Sequence, residues 1–305
     1  MNIVIVGGCG FIGRHLSEKL REDPENRITV FDRSHPSALG SNGAIRYVQG
    51  AFKDNRFDDL VTGADLVVHL VSTSVPGSAR AASKEIHANL IPSVELFEAC
   101  VRRGVGCIVF LSSGGAVYGG SARKPNRESD LPDPINTYGL QKVLIEASLR
   151  EITHGSGTRH QIIRLSNPYG PGQNPKGPLG LVTKLVYMAL NHEAVHIFGD
   201  GSVMRDFIYI QDAIHAILDV MRFGEPDTIY NIGCGVGTTV AQVVETIGRV
   251  LPETVLITHN PARTVDVPYS VLNIEKYRRI STLPGFIPLD EGIRKTYDYF
   301  KDQQQ

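Results

Sequence analysis

Asn2-Ile3-Val4-Ile5-Val6-Gly7-Gly8-Cys9-Gly10-Phe11-Ile12-Gly13 decides how the rest of the chain is read. The short apolar run Asn2–Val6 enters a glycine cluster, and Phe11–Leu20 then repeats apolar positions at helical spacing. The glycines fit both GxxGxxG and GxGxxG spacing. Between a strand and a helix, such glycines permit a tight turn, a close backbone approach to a pyrophosphate, and close packing of helix on strand. The helix N-terminus would offer N–H groups and a positive dipole to the phosphates.

Working outward, Ile28–Phe31, Ile45–Val48, Asp65–Val71, Cys107–Leu111 and Gln161–Leu165 are further short apolar runs. Between them lie helical patterns at Ala88–Val101, with Leu90, Val94, Leu96, Phe97 and Val101 on one face, and at Tyr138–Arg150. Continuous apolar strands alternating with helices predict a parallel sheet covered on both faces. The expected fold class is therefore α/β, a Rossmann-type doubly wound parallel sheet with a smaller, mixed α/β C-terminal domain. Asn167–Leu179 is rich in Pro and Gly and too irregular for a helix, and beyond it a helix (Leu181–Asn191) and a strand (Val195–Phe198) are expected. The expected division is 1–166 plus about 206–230 for the Rossmann domain, and about 167–205 plus 231–305 for the second.

Asp32 ends the second strand, 19 residues after Gly13. A carboxylate there should meet the adenosine ribose hydroxyls and repel the extra phosphate of NADP, so NAD is the expected cofactor. Arg33 beside it pulls the other way.

The chain has 305 residues, 42% of them hydrophobic and 21% charged, enough to bury a core without disulfide or metal staples. A net charge of −1 argues against a general nucleic-acid binder. No apolar run approaches a membrane span, and the glycine-broken N-terminus does not read as a signal peptide. Cys9, Cys100, Cys107 and Cys234 have no CxxC spacing and read as reduced thiols in a cytoplasmic protein. His192-Glu193-Ala194-Val195-His196 matches HExxH, but the expected helix ends before it and a strand runs through it. The two histidines should not converge, and no metal is expected.

Tyr138-Gly139-Leu140-Gln141-Lys142 is a YxxxK, which places both side chains on one helical face. A nearby ammonium stabilises phenolate, and an oxidised, cationic nicotinamide would add to this, so Tyr138 is expected to have a lowered pKa. Such a tyrosine suits a base that takes a hydroxyl proton while the carbon loses hydride.

Taken in order, GGCGFIG (7–13), Asp32, DLVVHL (65–70), Asn89, FLSSGGAVYG (110–119), YGLQK (138–142), RLSNPYGPGQ (164–173), GDGSVMRDFIYIQD (199–212), YNIGCG (230–235) and PARTVDVP (261–268) resemble the extended short-chain dehydrogenase/reductase family. The resemblance is to its NAD-dependent nucleotide-sugar epimerase/dehydratase branch and covers nearly the whole chain. It implies that Tyr138 is the base and that Lys142 holds the nicotinamide ribose and tunes Tyr138. It implies cofactor contacts from Gly7, Gly10, Phe11, Ile12, Gly13, Asp32, Arg33, Phe52, Leu70, Val71, Asn89 and Ser112. It further implies that Asn167 touches the sugar-nucleotide diphosphate, that Arg205 and Arg263 bind diphosphate or nucleotide, and that Asp266 binds the nucleoside ribose. The family also suggests a homodimer through helices near 83–103 and 138–152.

The chain departs from the family pattern in three places. Counting back from Val117-Tyr118-Gly119, the catalytic Ser/Thr position is Gly114. A proton shuttle through Ser113, through a water, or by direct contact with Tyr138 is open. Gly115 and Ala116 stand where dehydratases carry Asp-Glu, which argues against 4,6-dehydration. Gly50-Ala51-Phe52 lacks the carboxylate that commonly meets the adenine amine, leaving the Phe52 backbone for that contact. The expected activity is a nucleotide-sugar 4-epimerase acting on a UDP-hexose through a 4-keto sugar. A nucleotide 4-keto-sugar reductase is the alternative.

Overall fold

A computed structural model describes residues 1–34, 45–54, 56–75, 81–120, 124–253, 255–261 and 267–304. In chain order the elements begin β1 (Asn2–Val6), α1 (Phe11–Leu20), β2 (Arg27–Asp32), β3 (Ile45–Gln49), α2 (Phe57–Val61), β4 (Leu66–His69), α3 (Ala82–Glu85), a π-helical segment (Ile86–Leu90), α4 (Ile91–Arg103), β5 (Cys107–Ser113), α5 (Thr137–Thr153) and β6 (Arg159–Leu165). They continue β7 (Asn167–Tyr169), α6 (Leu181–Leu190), β8 (Val195–Phe198), β9 (Met204–Tyr209), α7 (Ile210–Phe223), β10 (Thr228–Ile232), β11 (Gly237–Thr239), α8 (Val240–Val250), β12 (Ile257–Asn260), β13 (Tyr269–Ser270), α9 (Glu275–Arg278) and α10 (Leu289–Asp302).

Two compact units divide the chain: Met1–Ser113 with Asn136–Arg164 and Ile217–Tyr230, and Gly114–Ile135 with Leu165–Ala216 and Asn231–Gln305. The first is built on a sheet of seven strands in the order β10-β6-β5-β4-β1-β2-β3. β1 pairs in parallel with β2 and β4, and β2–β3 and β4–β5 are parallel too. This is the Rossmann-type α/β fold expected from the apolar runs. Ile3–Val6 and all of β4 are buried, which is why these strands read as unbroken apolar runs rather than alternating ones.

The chain steps outward from β1 to β2 and β3, then returns to lay β4 on the other side of β1. That reversal is a topological switch point, where doubly wound sheets open a crevice at their carboxyl ends. Val6 pairs with Phe31 on one side and His69 on the other, so the loops after β1 and β4 leave the sheet side by side. Beneath them lies an aromatic layer. His69 packs against Phe52 at 5.1 Å, Phe110 at 5.2 Å and Phe97 at 5.9 Å between ring centroids.

One helix differs from its sequence reading. The apolar stripe predicts a start at Ala88, yet helical structure begins at Ala82 and passes through the π segment. The added turns bury Glu85, which is polar and invisible to an apolar period.

In the second unit β9 is central. β7 and β13 pair with it in parallel and β11 antiparallel, while β8 and β12 form a separate parallel pair. Tyr169 and Tyr209 meet edge-to-face in its core at 5.8 Å. His192 sits in the turn after α6 at φ 55°, whereas His196 lies on β8, so the HExxH residues share no helical face.

Gly13 is where helix and strand come closest. A Cβ there would stand 2.6 Å from the Gly7 carbonyl oxygen and the Gly8 Cα. Gly248, exposed within α8, has open space around it. In denaturant unfolding, Gly13→Ala should cost about 1–3 kcal/mol by overpacking. Gly248→Ala should add about 0.5–1 kcal/mol by helix propensity.

Candidate active site

In the first unit, the site is set by where α5 begins. The Asn136 side chain caps the helix, its Oδ1 accepting from Gly139 N at 2.8 Å, which places Tyr138 in the first turn. Lys142 follows one turn later and is buried. Its Nζ donates to the Leu111 carbonyl at 2.9 Å, lies 4.7 Å from the Phe110 ring centroid, and lies 5.9 Å from that of Tyr138. The Ser113 side chain, at the end of β5, hydrogen-bonds the Tyr138 hydroxyl.

That contact bears on the three routes left open by Gly114: Ser113 itself is in hydrogen-bonding reach of the phenol. Strand β5 therefore delivers to Tyr138 a serine one position earlier than the family pattern, which makes the neighbour of Gly114 the hydroxyl at hand.

The electrostatics correct one expectation. Tyr138 is raised rather than lowered. Burial pushes it up to about 12, against the Ser113 hydrogen bond, which favours phenolate. Lys142 is pushed down to about 8 by burial, opposed by the charge of Glu146. At each group desolvation is the largest effect. His69, packed against Phe110, is held well below its ordinary value, first by burial and then by the Lys142 charge.

The glycine turn forms a cradle that side chains would fill. A Cβ on Gly7, which has φ 90°, would lie 3.0 Å from the Val71 backbone N and 3.2 Å from the Leu70 carbonyl carbon. Leu70 N in turn donates to the Val6 carbonyl at 2.8 Å. Gly10 is exposed at the N-cap of α1, no side chain caps that helix, and no acidic residue stands in its first turn. Phe11, Ile12 and Gly13 open the helix with their N–H groups directed at this turn. Asp32 lies beside it, accepting from Cys9 N at 3.0 Å and Ser34 N at 3.0 Å. These features fit a dinucleotide: close backbone, a bare helix N-terminus, and a carboxylate at the end of β2. Arg33 is exposed next to Asp32.

Three further residues expected at the cofactor also have partners within the protein. The Phe52 ring is buried against His69 and Phe57, and the contact expected of this residue is through its backbone. Ser112 donates to Glu146 Oε1 at 2.5 Å. Asn89 is buried, accepting from Thr73 N at 2.8 Å and donating to Glu85 Oε2 at 3.0 Å. It holds the loop after β4 in place.

In the second unit, Asn167 donates from Nδ2 to the Asp206 carbonyl at 2.9 Å. Arg205 is half-buried, and its guanidinium donates to the Met204 carbonyl at 2.9 Å and to the Val267 carbonyl. Arg263 and Asp266 lie outside the described residues.

Three polar anchors escaped the sequence reading. Glu146 and Arg164 form a buried fork, with Arg164 Nη2 to Glu146 Oε2 at 2.7 Å and Nε to Oε1 at 3.1 Å. The spacing of Glu146 four residues after Lys142 was the available signal. Asp206, fully buried, accepts from Cys234 N at 2.9 Å and Gly235 N at 3.1 Å.

A family model described as the NAD dependent epimerase/dehydratase family matches residues 3–233. A putative UDP-glucose 4-epimerase of Methanocaldococcus jannaschii is 28% identical over 306 residues, spanning 99% of each chain. A dTDP-4-dehydro-6-deoxyglucose reductase of Escherichia coli is 28% identical over 302 residues, 96% of this chain and 95% of that one. The crystal structure of UDP-glucose 4-epimerase from Thermotoga maritima with UDP-glucose has a TM-score of 0.92 and 31% identity, covering 100% of both chains.

The buried ammonium should be visible in stability. The folded-state value of Lys142, about 8, lies below its free value of 10.5, so the unfolded chain binds more protons between those limits. The contribution of this residue to stability therefore rises with pH across that window. Urea unfolding of Lys142→Met should lack this rise, which in the parent amounts to about 3 kcal/mol.

Proposed function

The chain belongs to the NAD-dependent epimerase/dehydratase family, and from that premise we propose that it is a nucleotide-sugar 4-epimerase acting on a UDP-hexose. The observation that carries the proposal is the placement of Tyr138, Lys142 and Ser113 together at the carboxyl end of β5, in the unit that holds the glycine cradle. The first unit is proposed as the NAD domain and the second as the nucleotide-sugar domain.

When bound, NAD supplies a reversible hydride acceptor for the carbon that is inverted. Gly7, Gly10, Phe11, Ile12, Gly13 and Asp32 would hold it, with Leu70 and Val71 closing the other side of the cradle. Tyr138 Oη takes the proton of the sugar hydroxyl and later returns it, so the sugar passes through a 4-keto form. The Ser113 hydroxyl, which works against burial at Tyr138, and the Lys142 ammonium would together stabilise the phenolate. Asn167 and Arg205, with Arg263 and Asp266, are proposed to hold the nucleotide diphosphate, leaving the sugar free to turn. Gly115 and Ala116 supply no acid for a leaving hydroxyl, which favours epimerisation over dehydration.

The Escherichia coli reductase, with the same 28% identity as the M. jannaschii protein, supports a second reading: net reduction of a nucleotide 4-keto sugar by the same Tyr138 and Lys142. Mass spectrometry of ligands released from the purified protein, followed by a UDP-sugar panel, separates the two. An epimerase should carry NAD and interconvert C4 epimers with none added, whereas a reductase should consume reduced cofactor stoichiometrically. Tyr138→Phe should lower turnover about 10²–10⁴-fold while NAD is retained. Full activity in that variant would overturn the mechanism.

We also propose that the protein is a homodimer. Ile86, Ile91, Leu140 and Leu144 are exposed large apolar residues on the helices that the family resemblance assigns to a dimer. Leu140→Arg with Leu144→Arg should halve the mass measured by light scattering, without loss of helical content by circular dichroism.

A further inference from the structure

Lys142 is a cation inside the protein, and burial drives it towards the neutral amine. Its immediate partners are a carbonyl and an aromatic face, which stabilise an ammonium without carrying a full negative charge. Charged and titratable neighbours come from each surrounding element. On β4, His69 is held neutral. On α3, Glu85 is bound by Asn89. On α4, Glu95 and Glu98 face outward and the buried Cys100 thiol is pushed up to about 12. On β6, Arg164 is forked onto Glu146. On α5 itself stand Tyr138 and Glu146, one turn to either side of Lys142.

We propose that Glu146 is a positioning residue for the Tyr138–Lys142 pair: it is the counter-charge that keeps Lys142 an ammonium, and it ties the end of β5 to α5. Its bearing on catalysis rests on the reading above; the charge state of Lys142 does not.

Three observations carry this. Glu146 is nearly sealed from water, with its side chain 2% exposed, so its field is little screened. Each of its oxygens is engaged: Oε1 accepts from Ser112 Oγ at 2.5 Å and from Arg164 Nε at 3.1 Å, and Oε2 from Arg164 Nη2 at 2.7 Å. The carboxylate is thereby fixed in place between two strands and one helix turn from Lys142. Ser112 adjoins Ser113, the residue bonded to Tyr138, so the same carboxylate restrains the strand end that supplies that contact. Stability alone does not explain such a pair. Buried ion pairs are often no more stable than apolar residues of the same volume.

The test is a direct titration of Lys142 by NMR in protein carrying 13C at the lysine ε-carbons, with Lys142→Met to assign the signal. The parent midpoint should lie near 8. Glu146→Gln removes the charge and keeps an acceptor for Ser112, and should lower the midpoint by about one pH unit, a tenfold loss of proton affinity. Because Glu146→Gln alone leaves the Arg164 cation uncompensated, which by itself lowers the midpoint, Glu146→Gln/Arg164→Gln is the deciding variant and should show a smaller fall in the same direction. Glu146→Asp, which keeps the charge, should fall less. An unchanged midpoint in the double variant would overturn the proposal, whatever the single variant shows. With whichever nucleotide sugar turns over, the alkaline limb of kcat should move down in step. A shifted midpoint with an unmoved limb would overturn the catalytic part alone. If no sugar turns over, the titration still decides the charge claim.

Discussion

A full positive charge held out of water is the constraint around which the first unit is arranged. An unpaired buried ammonium costs several kcal/mol or gives up its proton. Lys142 avoids part of that cost through the Leu111 carbonyl and the Phe110 face. Both come from β5, so the strand must end where it does and α5 must start in a fixed phase. The Asn136 cap sets that phase. A helix begun one residue later would turn Tyr138 and Lys142 by about 100° away from the strand end. The packing of Phe52, Phe97 and Phe110 around His69 then supplies the dry floor that makes the charge effective.

The second unit handles a buried charge in another way. Asp206 has no cation among its hydrogen-bond partners described above. Its carboxylate is met by the backbone N–H groups of Cys234 and Gly235 and, at 3.4 Å, Leu272. Burial pushes its pKa up, and these backbone bonds pull it down. The same residue's carbonyl accepts from Asn167, so one position on β9 organises the Gly233–Gly235 turn and orients an amide proposed to meet the diphosphate. A Cβ on Gly233 would collide with Asp206 Oδ2, so the turn can close only around a glycine there.

Much of this was legible in the sequence, for reasons that can be named. Strands buried on both faces leave apolar runs, and the glycine turn leaves its spacing, so β1, α1 and the parallel order could be read directly. What could not be read depends on polar atoms meeting across sequence distance. For Asn89, a motif position carries no record of the Thr73 N–H and the Glu85 carboxylate that its amide engages. Ser112 and Ser113 are adjacent letters, yet one serves Glu146 and the other Tyr138. The lowered Tyr138 expected from a lysine one turn away ignored desolvation, which acts on both groups and is set by packing alone. The role of Glu146 needed Arg164, eighteen residues on and in a different element.

The π-helical segment at Ile86–Leu90 carries a consequence for how this chain tolerates change in length. The amide of Ile91 reaches back to the Ile86 carbonyl, so one more residue is fitted into the turn than an α-helix holds. Both borders are pinned: Asn89 by Thr73 and Glu85 before the helix resumes, and Ser93 by His69 at 2.8 Å after it. The extra residue therefore behaves as an insertion whose phase has been locked by polar contacts. Removing any one residue between 86 and 90 would restore a regular pitch and swing one border or the other off its partners by about 100°. Replacing those residues one at a time would leave the phase intact. Gene libraries that shuffle this helix with a regular one would thus fail at the seam, although every substituted side chain were acceptable where it fell.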